Sequence, residues 1–270
     1  MRLPRPRRRC RPSSQGSAEH VASLATHLSR LRVRAPRLWE ALGNAAAATL
    51  ESARPSDVAA LMAAYARAEL TNELLFDRAV AQATADMRGA EPEDVATVLW
   101  ALARSGITCP RSLRRAVAAH LAARGRDYGL LHVASMAGAC AKMGVRDGGL
   151  HRLLAERGAQ ALDEEANALG IIPQPLIARP TSSAAIAATN APAATSHAVS
   201  VLVAGLRDME PHARLTGLLR SAVRFLVKAA RAGGAVSPAQ AEQRHVDQVA
   251  AACLQAGLAE EYQALLQTSW

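Results

Sequence analysis

Asp57-Val58-Ala59-Ala60-Leu61 and Asp94-Val95-Ala96-Thr97-Val98 carry the same pattern 37 residues apart. In each, an acid precedes a valine, two small residues and a second aliphatic one. Pro55 and Pro92 stand two residues before the acids. Proline suits a first helical turn because the N–H it lacks would be unpaired there. An acid at that end faces the positive pole of the helix dipole. Both copies therefore read as helix starts. Downstream, Val58, Leu61, Met62 and Tyr65 match Val95, Val98, Leu99 and Leu102, at the three- and four-residue intervals of a helix buried on one side.

The pattern extends in both directions. Val21, Val58, Val95 and Val133 open four such helices, spaced 37, 37 and 38 residues apart. A second helix follows each. The first of these carries Leu38, Trp39 and Leu42, and the second Leu74, Leu75, Phe76 and Val80. The third carries Leu113, Val117 and Leu121, and the fourth Leu150, Leu153 and Leu154. Another short helix is expected from Leu162 to Leu169. No helix pair of this size buries its own apolar face, so neighbouring pairs must complete the core. The expected fold is all-α: an alpha-alpha repeat solenoid of helical hairpins of about 37 residues. Half of the residues are hydrophobic but only 3% are aromatic. Alanine supplies much of the difference, which suits closely packed helices.

Four regions follow. Residues 1–19 form a basic leader, residues 20–170 an N-terminal array, 171–196 a linker or insertion, and 197–270 further repeats with a cap. Pro173, Pro175, Pro180 and Pro192 interrupt the third of these, which reads as a flexible segment. The leader holds Arg2, Arg5, Arg7, Arg8, Arg9 and Arg11 against Glu19, so it contributes five of the nine net positive charges. Arginine with serine and few acids is the composition of an organellar transit peptide. A basic nucleic-acid tail or a nuclear signal is the other reading. Membrane insertion is not expected, since the apolar segment Val199 to Leu206 is far too short to span a bilayer.

The body is only mildly basic, so placement matters more than amount. Nine residues after the opening valines stand Arg30, Arg67, Arg104 and Lys142. Arg207 takes the same place relative to Ala198, and Leu258 takes it in the last unit. Such a column would meet successive phosphates of a strand, although cations are also favoured at helix C-termini without any partner. Arg111, Arg114 and Arg115 form a second candidate patch, and Arg220, Arg224, Lys228 and Arg231 a ridge at helical spacing. Arg78 and Arg152 are further bases on second helices. Ser23, Ala60, Thr97, Ser135 and Ser200, two residues into each pattern, are candidates for reading bases or for tight packing. Trp39, Tyr65, Phe76 and Trp100 fall in apolar patterns and read as core, while Tyr128 is the aromatic expected to be accessible.

Nothing points to catalysis, a cofactor or a metal. The eight histidines are scattered, Cys10, Cys109, Cys140 and Cys253 form no close pair, and no phosphate loop or nucleophile elbow is present. Asp163, Glu164 and Glu165 read as acids at a helix start.

Asp94-Val95-Ala96-Thr97-Val98-Leu99-Trp100-Ala101-Leu102-Ala103-Arg104-Ser105-Gly106 resembles the helix of organellar helical-repeat proteins of the RAP and FAST-kinase-like group. Asp57 to Leu70 repeats it, and His132 to Val145 is a weaker copy. The period also resembles heptatricopeptide and, less closely, octotricopeptide arrays. The likeness covers residues 20–160 and, loosely, 197–266, without a recognisable RAP domain. It implies a protein of the mitochondrial matrix, or of a plastid, that binds single-stranded organellar RNA, and the lack of catalytic motifs makes a non-enzymatic one the expectation. The implied work is RNA processing, stability, translation or ribosome assembly, beside ribosomal or other ribonucleoprotein components. Arg67, Arg104 and Lys142 match its repeated basic position, and Trp100 its helix-packing aromatic. A protein-binding scaffold built from the same repeats is the alternative.

Overall fold

A computed structural model describes residues 14–171, 197–206, 213–232 and 240–267. Among these residues there are twelve α-helices and no strand. They are α1 (Ser14–Arg30), α2 (Pro36–Thr49), α3 (Pro55–Ala68), α4 (Glu73–Ala85), α5 (Pro92–Ser105), α6 (Arg111–Arg124), α7 (Leu130–Lys142) and α8 (Gly148–Ile171). After these come α9 (197–206), α10 (Ala213–Ala232), α11 (Gln240–Gln255) and α12 (Ala259–Leu266). Among the described residues, no helix is long and apolar enough to cross a membrane.

Local chemistry sets the helix ends. Pro36, Pro55 and Pro92 open α2, α3 and α5 at the first helical position. Asn72 and Asp147 accept from the backbone N–H groups of Leu75 and Leu150, at 2.9 and 3.1 Å, occupying donors that a helix start leaves free. The C-termini share one device. Arg32, Glu69, Gly106, Gly144 and Gly257 all have positive φ, between 53° and 73°. The next residue, Val33, Leu70, Ile107, Val145 or Leu258, donates its N–H to the carbonyl five residues back, at 2.9–3.1 Å. This left-handed cap satisfies carbonyls at the helix end and folds an apolar residue back onto the last turn. The first four caps fall 37, 37 and 38 residues apart.

The helices pack neighbour to neighbour in two rows. α1, α3, α5 and α7 pack successively against one another, as do α2, α4, α6 and α8. α10 continues the second row on α8, and α12 packs on α10. α9 lies on α7: a β-carbon added to Gly205 would stand 2.7 Å from the Ala137 carbonyl carbon. Only glycine permits that approach. The core runs between the rows. Trp39 and Tyr65 pack edge to face at 5.0 Å, and the Tyr65 hydroxyl donates to the Trp39 carbonyl at 2.6 Å.

Several expectations need correction. α1 begins at Ser14 and buries Ala18, so it starts inside the basic leader. α8 is continuous to Ile171, which merges the expected helix at Leu162 with its predecessor. Asp163, Glu164 and Glu165 therefore sit within a helix and not at its start. Tyr128 is buried completely, with its hydroxyl oxygen 2.6 Å from Nδ1 of His120. The left-handed cap at Gly257 makes Leu258 the register equivalent of Val33 and Leu70, so Gln255 occupies the position of the bases in the last pair. Nearly all of the expected flexible segment, residues 172–196, lies outside the described residues, as does Arg207.

Candidate nucleic-acid interface

Short turns make successive helices antiparallel, so the odd-numbered helices of one row run in the same direction. The turns within pairs (α1–α2, α3–α4, α5–α6, α7–α8) consequently lie along one edge of the stack. The turns between pairs lie along the other. Two ion pairs mark these edges: Arg104 to Glu69 at 3.0 Å joins two within-pair turns, and Arg54 to Glu19 at 3.1 Å joins the opposite ends of α3 and α1.

The two edges differ in charge. The within-pair edge carries Arg30, Arg32, Arg34, Arg37, Arg67, Arg104, Arg111, Arg115, Lys142 and Arg146, all exposed, against Glu40, Glu69, Glu73, Asp77 and Asp147. Of these ten cations, Arg104 is the one in an ion pair. The opposite edge carries Glu19, Glu51, Asp57, Asp86, Glu91, Glu93, Asp94 and Asp127 against Arg54, Arg88, Arg124 and Arg126. There Arg54 pairs with Glu19 and Asp57, and Arg124 with Glu91 and Asp127. The expected column of Arg30, Arg67, Arg104 and Lys142 thus lies in the last turns of α1, α3, α5 and α7, on the edge where cations are mostly unpaired.

Helix dipoles account for that column but not for its neighbours. Arg111, Arg114 and Arg115 stand at the start of α6, which has no acid in its first turn. Arg37 stands at the start of α2, which has none either. A cation at a helix N-terminus is disfavoured by about 0.3–1 kcal/mol at an exposed site. Arg111 and Arg37, in the first turns, therefore do not serve the dipoles of the helices they sit on. Arg114 is half-buried, with its Nε sealed from solvent and lacking a hydrogen-bond partner.

The ridge on α10 is engaged differently. Arg220 pairs with Glu261 of α12 at 2.7 Å, and Arg224 with Asp163 of α8 at 3.3 Å. Lys228 is exposed, and the side chain of Arg231 lies outside the described residues. This ridge joins helices in the second row and is not part of the unpaired edge. Three arginines, of which the sequence singles out Arg78 alone, reach backbone carbonyls of the preceding pair or turn. Arg78 donates to Ala47 at 3.0 Å, Arg124 to Ala90 at 2.9 Å and Arg157 to Tyr128 at 2.7 Å. Arg157 is buried and forks onto Glu164, holding that carboxyl below its usual range. Their partners lie 29–34 residues away, beyond any local pattern.

Two hollows open beside the column. One, of about 400 Å3, lies among α5, α7 and α9, with Trp100, Leu131, Ser135 and Val201 in its walls and Arg104, Lys142 and His197 around them. The other, of about 230 Å3, lies between α3, α5 and α7 and shares Trp100, Leu131 and Ser135. Trp100 is therefore a half-buried wall and not a core residue like Trp39. The Arg67 guanidinium sits over its ring, 5.8 Å from the centroid. Of the small residues considered for base reading, Thr97 and Ser135 line the hollows, Ser23 is exposed, Ala60 is half-buried, and Ser200 is buried.

No protein-family model matches this chain, and no curated protein matches it.

Chemistry elsewhere is muted. Among the described residues, no group of three or more His, Cys, Asp or Glu side chains is placed to hold a metal ion. Burial pushes the thiols of Cys109 and Cys253 up to about 11 and that of Cys140 up to about 12. Thiols so shifted are poor nucleophiles at neutral pH.

Proposed function

We propose that this chain is a non-enzymatic RNA-binding solenoid, a stack of hairpins of about 37 residues that receives single-stranded RNA along its within-pair edge. The observation that carries this reading is the cationic edge itself, where exposed Arg111 and Arg115 near the start of α6 share the within-pair side with Arg67, Arg104 and Lys142. Arg111, in the first turn, works against the dipole of α6, and a polyanion along this edge would compensate for it. The recurring left-handed caps and the two-row packing support the repeat reading. The arginine- and serine-rich first residues support delivery to the mitochondrial matrix, or to a plastid. Work there in RNA processing, stability, translation or ribosome assembly follows from the resemblance of Asp94 to Gly106 to organellar RNA-binding repeats. A second reading, a protein-binding scaffold, draws on Leu131, an aliphatic side chain 58% exposed beside the larger hollow.

The test is polarisation of a labelled single-stranded RNA titrated with the full chain over a range of salt concentrations. Each phosphate contact to a single strand contributes about 0.7 to the slope of log K against log salt. Replacing Arg67, Lys142, Arg111 and Arg115 with alanine should therefore lower the slope by about 3. Replacing Arg54, Arg88 and Arg126 on the opposite edge should leave it unchanged. Absence of RNA binding, or equal effects of the two sets, would overturn the proposal.

A further inference from the structure

Resting on the RNA reading above, we infer that the hollow among α5, α7 and α9 is a nucleotide pocket: it takes one base against Trp100 and the attached phosphates on Arg104 and Lys142. Three observations converge on it. First, the hollow has one aromatic wall. The Trp100 indole is half-buried, whereas the other described tryptophan, Trp39, is sealed in the core. Second, its floor is made of small side chains, among them Ala103, Ala134 and Gly138, which leave room for a flat ring. Ser135, also in the lining, offers a hydroxyl without a hydrogen-bond partner among the described residues, suited to a base edge. Third, Arg104 and Lys142 border it, and among the described residues no carboxylate lines it. Glu69, on the preceding turn, holds Arg104 at 3.0 Å in an exposed ion pair, and an arriving phosphate displaces such a pair at little cost.

A flat apolar body carrying negative charge is the chemistry of a nucleotide. Size favours it over a peptide. The hollow holds about 400 Å3, near the lower end for small-ligand sites. A peptide helix, about 10–12 Å across with its side chains, needs a longer trough. The close approach of α9 to α7 at Gly205 shapes this site, because Val201 of α9 packs against Gly138 and both line the hollow.

The pocket differs from the charged edge in what it contributes. Stacking is insensitive to salt, whereas phosphate contacts are not. In the same polarisation assay with the full chain, Trp100→Leu should weaken binding about tenfold with an unchanged salt slope. Trp100→Phe, which keeps an aromatic face, should retain most of the affinity. Ser135→Phe fills the hollow from its surface and should match the loss in Trp100→Leu, which guards against a fold defect in the tryptophan variant. RNA should also quench indole fluorescence in the parent chain, and less so in Trp100→Phe. If the parent binds RNA but Trp100→Leu and Ser135→Phe bind equally well, the pocket is wrong and the edge remains. If the parent binds no RNA and the hollow takes a labelled amphipathic peptide instead, both readings fall.

Discussion

Replacing Gly106 with alanine isolates the energy of the recurring helix cap. Gly106 ends α5 at φ +71°, is exposed, and has no atom within 4 Å of where a β-carbon would stand. The substitution therefore adds no clash and removes no contact, and its cost is that of the backbone alone. A side chain in the left-handed region costs about 1–2 kcal/mol. Alanine also narrows the unfolded ensemble, which returns about 0.4–1 kcal/mol. The net expectation is a loss of roughly 1 kcal/mol. Gly89 is the control: it too is exposed with open space around its β-carbon position, but its φ is not positive. Gly89→Ala should be neutral or stabilising by up to about 1 kcal/mol. Urea unfolding followed by circular dichroism reads the difference between the two, which should be about 1–2 kcal/mol. Gly106→Asn should cost less than Gly106→Ala, because asparagine tolerates this conformation. Glu69→Gly, at the matching cap of α3, should lie between no change and a gain of about 1 kcal/mol after loss of the exposed pair with Arg104. Equal midpoints for Gly106→Ala and Gly89→Ala would refute the claim that the left-handed cap, and not packing, fixes this position.

Gly205→Ala tests the docking of α9. Its β-carbon would meet the Ala137 backbone at 2.7–2.8 Å, so it should destabilise by about 1–3 kcal/mol despite the better helix propensity of alanine; a neutral result in thermal unfolding would argue against that contact. Arg157→Met should cost about 1–3 kcal/mol, because the Tyr128 carbonyl loses its donor while Glu164 keeps its solvent. Recovery of full stability in that variant would show that the arginine does not bind the turn to α8. Burial holds both His120 and His151 below the ordinary histidine value of 6.5, which favours their neutral forms in the folded chain. Their contribution is complete above the unfolded value and is lost as pH falls through the lowered folded one, so the urea midpoint should drop between pH 7.5 and 5.5. His151→Leu, which also removes a sealed Nε2 without a hydrogen-bond partner, should flatten that dependence; an unchanged pH profile would refute the assignment.

The helices were legible because their signals are local. Pro55 and Pro92 mark starts, and the stripe of Val95, Val98, Leu99 and Leu102 marks one buried face. Boundaries were less so. α1 reaches back to Ser14 through serine, glutamine and glycine, which give no apolar periodicity. α8 runs on past Gly158, where the glycine sits close against Leu202 of α9. Tyr128 looked accessible because it stands in a turn between basic and glycine-rich residues. Its burial comes from packing beside His120, which no neighbouring residue announces.

The sequence by itself determined the helices, through their apolar stripes and proline starts, and the spacing of Arg30, Arg67, Arg104 and Lys142. The first depends on residues within about one turn of one another, and the second on counting along the chain. Only the tertiary structure decided which cations are free. Arg78, Arg124 and Arg157 look like the others in sequence, yet stacking spends them on carbonyls about thirty residues away. Stacking also left Trp100 as a wall and Trp39 as core, although both fall in apolar patterns. A helical pattern fixes which face turns inward, but the width of the space between neighbouring helices depends on the side chains of both. Here alanine and glycine on α7 and α9 leave that space open beside Trp100.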